Sequence, residues 1–139
     1  MILLVVDTNV FLSGIFWKGN YSSQIIDLWR NRKVDLVSSI PIIDELTKNL
    51  RGFKIKMNED DVQEWENMIL ENSFLVEPEE SIEIVKDDKD DNKFVEAAVT
   101  GKAGYIITQD TDLLKIKEFR GIKILTPKEF LEMININFP

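Results

Sequence analysis

The stretch Ile2-Leu3-Leu4-Val5-Val6-Asp7 decides the fold class of this chain. Its five apolar residues follow one another without alternating polar ones, which is typical of a strand buried on both faces of a helix-covered parallel sheet. We therefore expect this strand to be central in the sheet. Open parallel sheets bind ligands beyond the carboxyl ends of their strands, and Asp7 is predicted to lie at such an end.

The rest of the chain alternates strand-like and helix-like segments. Ser39 is the expected N-cap of the third helix. The order predicts one domain over residues 1–139 with an α/β fold, in which helices cover both faces of the sheet as three α/β/α layers. The apolar pattern predicts further strands over 34–37, 74–76, 105–108 and 122–125, and helices over 8–16, 21–32, 40–50, 60–70, 92–100, 113–119 and 127–134.

The composition restricts the chemistry that the chain can perform. Its 139 residues include no histidine and no cysteine, which excludes Ser-His-Asp and thiolate catalysis and zinc sites built from these residues. No apolar run near the start is long enough for a membrane span or a signal peptide, so we expect a cytoplasmic protein without a membrane partner. The net charge of −8 argues against a nucleic-acid partner, because such binding relies on Lys and Arg.

Two acids follow predicted strands directly. Asp7 follows the first strand, and Asp110 follows the fourth strand, whose last residue is Thr108. Either acid can instead cap the helix that comes next, and for Asp7 taken alone capping is the favoured interpretation. Asp112 can equally lie in the first turn of the next helix, where the helix dipole favours an acid.

Helical periodicity selects one acid from each of two further segments. In the third helix, Asp44 points to solvent, whereas Glu45 lies at the margin of the apolar face. Eight acids and two lysines stand between residues 77 and 91. Among them, Asp91 falls on the inward face of the following helix and Asp90 falls outside it. We expect the other acids of this run to form a solvated loop.

The four selected carboxylates, Asp7, Glu45, Asp91 and Asp110, are predicted to meet at one end of the sheet. Four negative charges in one place repel strongly unless they are protonated or neutralised. Without His or Cys, the neutralising ion is expected to be a hard cation with oxygen ligands, Mg²⁺ or Mn²⁺. Sites of this kind usually act on phosphates.

In this order and spacing, the motifs of the chain resemble the PIN-domain family, and most closely the prokaryotic PIN proteins assigned as toxins of toxin–antitoxin systems. The resemblance covers essentially the whole chain. The motifs that carry it are Asp7-Thr8-Asn9-Val10, Ser38-Ser39 with Asp44-Glu45-Leu46, Asp90-Asp91-Asn92-Lys93-Phe94 with Ala97-Ala98, Thr108-Gln109-Asp110-Thr111-Asp112-Leu113-Leu114, and Ile124-Leu125-Thr126-Pro127-Lys128-Glu129-Phe130-Leu131.

The resemblance implies a five-stranded parallel sheet of order 3-2-1-4-5 and a metal-dependent endoribonuclease. It also implies a homodimer and an antitoxin protein as partner. The family's acidic quartet maps to Asp7, Glu45, Asp91 and Asp110 as catalytic and metal-binding residues, with Thr8, Asn9, Thr108 and Asp112 as supporting residues. Our mechanistic hypothesis is hydrolysis of an RNA phosphodiester by a metal-activated water, which leaves a 5′-phosphate and a 3′-hydroxyl.

A basic segment follows the third helix. Lys48, Arg51, Lys54 and Lys56 are candidates for contacts with RNA phosphates, and a solvated basic face is the alternative.

Two other functions remain open at this point. A phospho-acceptor receiver module shares the sheet class, a Mg²⁺ site, a Thr after the fourth strand (Thr108) and a Lys after the fifth (Lys128), but it needs an Asp where this chain has Glu77-Pro78. A catalytically inactive protein that uses the fold only to bind a partner is the other alternative.

Overall fold

The computed structural model describes residues 2–52 and 57–137 of the chain. Within these residues, six strands form one sheet in the order β3-β2-β1-β4-β6-β5. The first five in that order are parallel neighbours, and β5 pairs antiparallel with β6. The strands are β1 (Leu3–Val6), β2 (Asp35–Ser38), β3 (Ser73–Leu75), β4 (Tyr105–Ile107), β5 (Glu118–Phe119) and β6 (Ile122–Leu125).

Helices connect the parallel strands, and a single 3-10 turn at Lys89–Asp91 precedes the fifth helix. None of the helices in the described part of the chain is both long and apolar enough to cross a membrane. The helices are α1 (Thr8–Phe16), α2 (Tyr21–Arg30), α3 (Ile40–Gly52), α4 (Glu59–Asn72), α5 (Asn92–Thr100), α6 (Thr111–Leu114) and α7 (Pro127–Asn137).

The opening strand is central, as its sequence predicts. β1 lies between β2 and β4, and Leu4, Val5 and Val6 are at most 4% exposed. Leu4 and Val6 belong to the core beneath α1 and α2, whereas Val5 packs in the core beneath α5. The unalternated apolar run therefore reflects burial on both faces of the sheet.

The predicted strand order 3-2-1-4-5 is confirmed, because β6 is the fifth of the predicted strands. This order also contradicts the receiver alternative. Receiver modules follow the order 2-1-3-4-5, in which the first strand lies between the second and the third. In this chain β1 instead lies between the second strand and the fourth.

The prediction of a helix over 113–119 and of only five strands is wrong. Helix α6 ends at Leu114, and Lys117 then adopts a positive φ of 67°, which is incompatible with a continuing helix. Glu118 and Phe119 form β5 and turn back onto β6. The two turn residues, Arg120 and Gly121, have φ values of 50° and 82°, and two positive values are typical of the tight turn of a β-hairpin.

Ser39 occupies the predicted N-cap position of α3, but its hydroxyl makes no capping bond to the described residues. Ser39 directly precedes α3, and its backbone carbonyl accepts the first helical hydrogen bond from Ile43 at 3.0 Å. Its hydroxyl, however, is buried and has no hydrogen-bond partner among the described residues. The helix begins here without the side-chain bond that a capping serine usually supplies.

Candidate metal centre

The sheet topology brings two predicted acids together. The chain leaves β1 towards β2 on one side and later returns to β4 on the other, so the strand order reverses between β1 and β4. Asp7 follows β1, and its backbone N–H donates to the carbonyl of Ile107 in β4 at 3.0 Å. Asp110 lies three residues beyond the end of β4. Ligand sites of open α/β sheets lie at such a reversal.

Asp7 combines a capping role with a position in the site. Its Oδ1 accepts from the backbone N–H of Val10 at 2.9 Å, which confirms that it caps α1. Its Oδ2 accepts from the hydroxyl of Thr108. The residue is 4% exposed, and desolvation raises the pKa of its carboxyl even though both hydrogen bonds oppose the rise. Asp7 is therefore a deeply buried carboxylate held in one orientation from two sides.

Asp110, which follows the neighbouring strand β4, caps a helix in the same way as Asp7. Its Oδ1 accepts from the backbone N–H of Asp112 at 2.8 Å, at the start of α6. Its own backbone N–H donates to the Thr108 hydroxyl at 2.9 Å. Thr108 thus joins Asp7 and Asp110. The side chain of Asp112 instead faces Lys115, with 3.4 Å between the carboxylate and the ammonium, so Asp112 supports Asp110 only through its backbone.

Glu45 reaches the same place from α3. Its Oε2 accepts from the hydroxyl of Thr8, and its Oε1 accepts from the ammonium of Lys93 at 2.7 Å. The side chain is 28% exposed, in keeping with its predicted position at the margin of the buried face. Asp44, beside it, is exposed as predicted.

Asp91 is an acid of the group whose pKa is strongly raised. It ends the 3-10 turn before α5, and its Oδ2 is buried with no hydrogen-bond partner among the described residues. Desolvation and a hydrogen bond with Asp110 raise its pKa to about 8, and the negative charges of Asp110, Asp88 and Asp7 add to the rise. A buried carboxylate oxygen without a donor fits a metal ligand.

All four predicted carboxylates line one cavity of about 150 Å³. Carboxylate oxygens of Asp88, Asp91 and Asp110 also lie within 4.8 Å of one another. Only oxygen and nitrogen donors are available, which suits a hard cation such as Mg²⁺ or Mn²⁺. The residues around this cavity are Asp7, Thr8, Asn9, Glu45, Asn49, Asp88, Asp90, Asp91, Phe94 and Asp110.

The acids of the acidic run other than Asp91 are exposed, as expected of a solvated loop. Asp87 is exposed and pairs with Lys115 at 2.8 Å, as expected of a solvated residue. Asp88 and Asp90 are also exposed, but both line the cavity, which the sequence did not predict. The 3-10 turn places Asp88 and Asp91 on the same side of the chain, because residues three apart lie above one another in this conformation.

Two residues that the sequence did not single out shape the site. Buried Asn92 accepts backbone bonds from Ile84 and Val85 at 3.1 and 2.8 Å and donates to the carbonyl of Val85 at 3.0 Å, so it holds the acidic loop against α5. Lys93 donates to Asp90 at 2.6 Å as well as to Glu45. Burial favours a lower pKa for Lys93, but these two bonds outweigh it and raise the pKa, which keeps the ammonium charged.

The predicted basic segment is only partly described. Lys48 is exposed on α3, and the exposed guanidinium of Arg51 pairs with Glu59 at 2.8 Å. Lys54 and Lys56 lie outside the described residues. Contacts of these side chains with RNA stay a prediction.

The family model of the PIN domain matches residues 3–112 of the chain, a range that includes β1 to β4 and all four carboxylates. The chain belongs to the PIN-domain family. This PIN domain is also 30% identical over 142 aligned positions to the uncharacterized protein MJ1680 of Methanocaldococcus jannaschii, and the alignment covers 94% of this chain and 90% of the relative.

Solved structures share the fold of this PIN domain at low identity. VapBC-1 from nontypeable Haemophilus influenzae superposes with a TM-score of 0.60 at 15% identity, covering 91% of this chain and 99% of the other. VapBC2 from Rickettsia felis, bound to a DNA fragment from its promoter, superposes with a TM-score of 0.59 at 13% identity, covering 88% and 97%. These similarities confirm the α/β PIN fold.

Proposed function

We propose that this PIN domain is a metal-dependent endoribonuclease, active in the cytoplasm. The observation that carries the proposal is the convergence of carboxylates from four separate segments on one cavity, where a buried oxygen of Asp91 has no donor in the described part of the chain. Keeping so many acids together is costly unless a cation neutralises them. The fold family supplies the nuclease class, and the residues of the site fit its chemistry.

The acids of the site would hold or surround a cation, and two threonine hydroxyls orient the acids. Asp88, Asp91 and Asp110 would hold the ion, and Asp7 and Glu45 complete the acidic wall of the cavity. When bound, Mg²⁺ or Mn²⁺ in such a site supplies a nucleophile at neutral pH and stabilises charge on a phosphodiester. The hydroxyls of Thr8 and Thr108 fix the carboxylates of Glu45 and Asp7, so that the acids are oriented before substrate arrives.

Electrostatics adds a second reason for metal dependence. Six acids line the cavity, and only the ammonium of Lys93 opposes them from directly beside it among the described residues. A phosphodiester that approaches this cavity is repelled, and each divalent cation removes two units of negative charge. We therefore expect the metal to increase RNA affinity as well as the rate of cleavage.

The partners follow from the same family. The structures with a similar fold are named as VapBC proteins, which supports a role as the toxin component of a toxin–antitoxin system. An antitoxin protein is the proposed partner, and a homodimer is the proposed assembly. Induced synthesis of the chain in bacteria is expected to arrest growth, and synthesis of Asp7→Asn is not. Normal growth with the wild-type chain would contradict the toxin role but not the nuclease activity.

The nuclease proposal is tested by RNA cleavage with purified protein. We expect Mn²⁺-dependent cleavage that EDTA stops and that leaves 5′-phosphates. Asp7→Asn should abolish it without unfolding the chain, because the amide oxygen can still accept from the N–H of Val10 and cap α1. Asp44→Asn removes an exposed acid next to Glu45 and serves as the control. Full activity of Asp7→Asn would contradict the proposal.

A further inference from the structure

The cavity already contains a positive charge that belongs to the protein. Lys93, the second residue of α5, donates to Oε1 of Glu45 at 2.7 Å and to Oδ2 of Asp90 at 2.6 Å. Its side chain is only 13% exposed. Lys115 also lies between two acids, Asp87 and Asp112, but its side chain is 61% exposed. The ammonium of Lys93 is therefore an enclosed part of the site, whereas that of Lys115 belongs to an ordinary surface ion pair.

The bonds of Lys93 divide the cavity into two halves. On the Glu45 side, Oε1 accepts from Lys93 and Oε2 accepts from the hydroxyl of Thr8, so both oxygens of that carboxylate have a donor. On the other side, oxygens of Asp88, Asp91 and Asp110 lie within 4.8 Å of one another. The buried Oδ2 of Asp91 has no partner there among the described residues. Among the described residues, the carboxyl groups of this second half thus have no ammonium or guanidinium partner.

We propose that Lys93 takes the place of a second cation beside Glu45, so that the site binds one divalent ion, in the half formed by Asp88, Asp91 and Asp110. The inference rests on the proposed metal-dependent function. Two-metal nuclease sites hold their ions about 3.5–4 Å apart and need carboxylates free to bridge or flank both. Here Lys93 neutralises Glu45 and Asp90, and it repels a further cation at that position.

Glu45 then acts as a positioning residue. It fixes the ammonium of Lys93 through Oε1 and the hydroxyl of Thr8 through Oε2, and Thr8 lies directly after Asp7 at the start of α1. A fixed ammonium cannot be removed by a chelator, whereas a bound divalent ion can. Chelation is therefore expected to empty one half of the cavity and to leave the ion pair of Lys93 with Glu45 in place.

The experiment counts Mn²⁺ ions by isothermal titration calorimetry of the full chain. Wild type is expected to bind one ion. Lys93→Met removes the charge but keeps a side chain of similar length, so Glu45 and Asp90 become available and a second Mn²⁺ binds. Lys93→Arg keeps the charge and should bind one ion. Lys115→Met makes the same change in net charge at the surface and should also bind one ion. This control separates the effect of a charge in the site from the effect of the overall charge.

The outcomes separate this inference from the proposed function. Two ions on the wild type, or a Lys93→Met titration that superimposes on the wild-type curve, would overturn the inference and leave the metal-dependent function standing. A wild type that binds no Mn²⁺ would contradict both. If thermal unfolding shows that Lys93→Met does not fold, the wild-type stoichiometry decides: one ion supports the inference, and two overturn it.

Discussion

The hydroxyl of Thr108 donates a hydrogen bond to the buried carboxylate of Asp7, across 101 positions of the sequence. The same oxygen accepts from the backbone N–H of Asp110 at 2.9 Å. Thr108 is completely buried at the end of β4, beside the end of β1. One side chain thus fixes two acids of the candidate metal centre relative to each other, and it does so at the place where the strand order reverses.

Replacing Thr108 by Val tests this link with almost no change of shape. The substitution leaves the N–H of Asp110 and the Oδ2 of Asp7 without their partner, so we expect the free energy of unfolding to fall by about 1–3 kcal/mol. Mn²⁺ affinity should fall roughly 10- to 100-fold, as is usual when a residue that orients metal ligands is removed. Urea unfolding and calorimetry measure the two effects. Thr108→Ser keeps the hydroxyl and is expected to retain most of the metal affinity; equal losses in both variants would contradict the role of the hydroxyl.

The raised pKa of Asp91 predicts a pH dependence of stability in the metal-free protein. Between the ordinary pKa of an Asp and about 8, the folded chain keeps a proton on Asp91 that the unfolded chain has released. The free energy of unfolding should therefore decrease as the pH rises through this window, by at most about 1.4 kcal/mol per pH unit for one proton. Asp7, whose pKa is also raised, contributes with the same sign.

Urea unfolding in EDTA at pH 5, 6, 7 and 8 measures this dependence. Asp91→Asn cannot release a proton and should show a shallower decrease than wild type. Saturating Mn²⁺ should remove this decrease in the wild-type protein, because metal binding releases the proton and the folded chain then holds no more protons than the unfolded chain. Parallel curves for wild type and Asp91→Asn in EDTA would contradict the assignment to Asp91.

The close approach of α5 to β2 predicts a sensitive glycine. A Cβ atom on Gly101, which follows α5, would lie 2.4 Å from Cγ1 of buried Val37 in β2 and 3.1 Å from the carbonyl oxygen of Ala97. Gly101→Ala should reduce the free energy of unfolding by about 1–3 kcal/mol through overpacking. Gly104→Ala is the matched control, because nothing lies within 4 Å of a Cβ there. Equal stability of the two variants in urea would show that α5 can shift without cost.

The basic segment predicts a salt dependence of RNA binding. Each cation that binds an RNA phosphate contributes about 0.7 to the slope of log affinity against log salt for a single strand, so removal of all four should lower the slope by about 2.8. We measure KM for RNA between about 50 and about 200 mM salt and take the slope from these values. The slope should be lower by this amount in the variant that carries Ala in place of Lys48, Arg51, Lys54 and Lys56. A control replaces the exposed residues Lys33, Lys102, Lys123 and Lys128. The same slope in both variants would favour a merely solvated basic face.

Much of the fold could be predicted because its signals are local. The run from Ile2 to Val6 has no polar residue, and only a strand covered on both faces hides it completely. Strand β5 could not be predicted, because Arg120 gives no indication that its φ is positive. An Arg-Gly pair only forms a hairpin turn once β6 is in place to accept the returning strand.

The site also contains residues that local signals predicted and residues that they did not. Helical phase predicted that Asp91 faces inward and Asp90 outward, because both positions follow from the start of one helix. The role of Lys93 could not be predicted, since its partner Glu45 lies 48 residues away and nothing local joins them. The same holds for Asp88, because the 3-10 turn that brings it beside Asp91 has no distinctive sequence signal.

A crystal structure of the chain with bound Mn²⁺ tests most directly whether these acids form a divalent-metal site. Anomalous scattering locates the ion independently of the protein atoms. We predict one Mn²⁺ in the cavity, coordinated by the carboxylates of Asp88, Asp91 and Asp110, with Oδ2 of Asp91 among its ligands. A cavity without an ion at saturating Mn²⁺, with the Oδ2 of Asp91 still unpartnered, would contradict the metal centre and the nuclease function built on it.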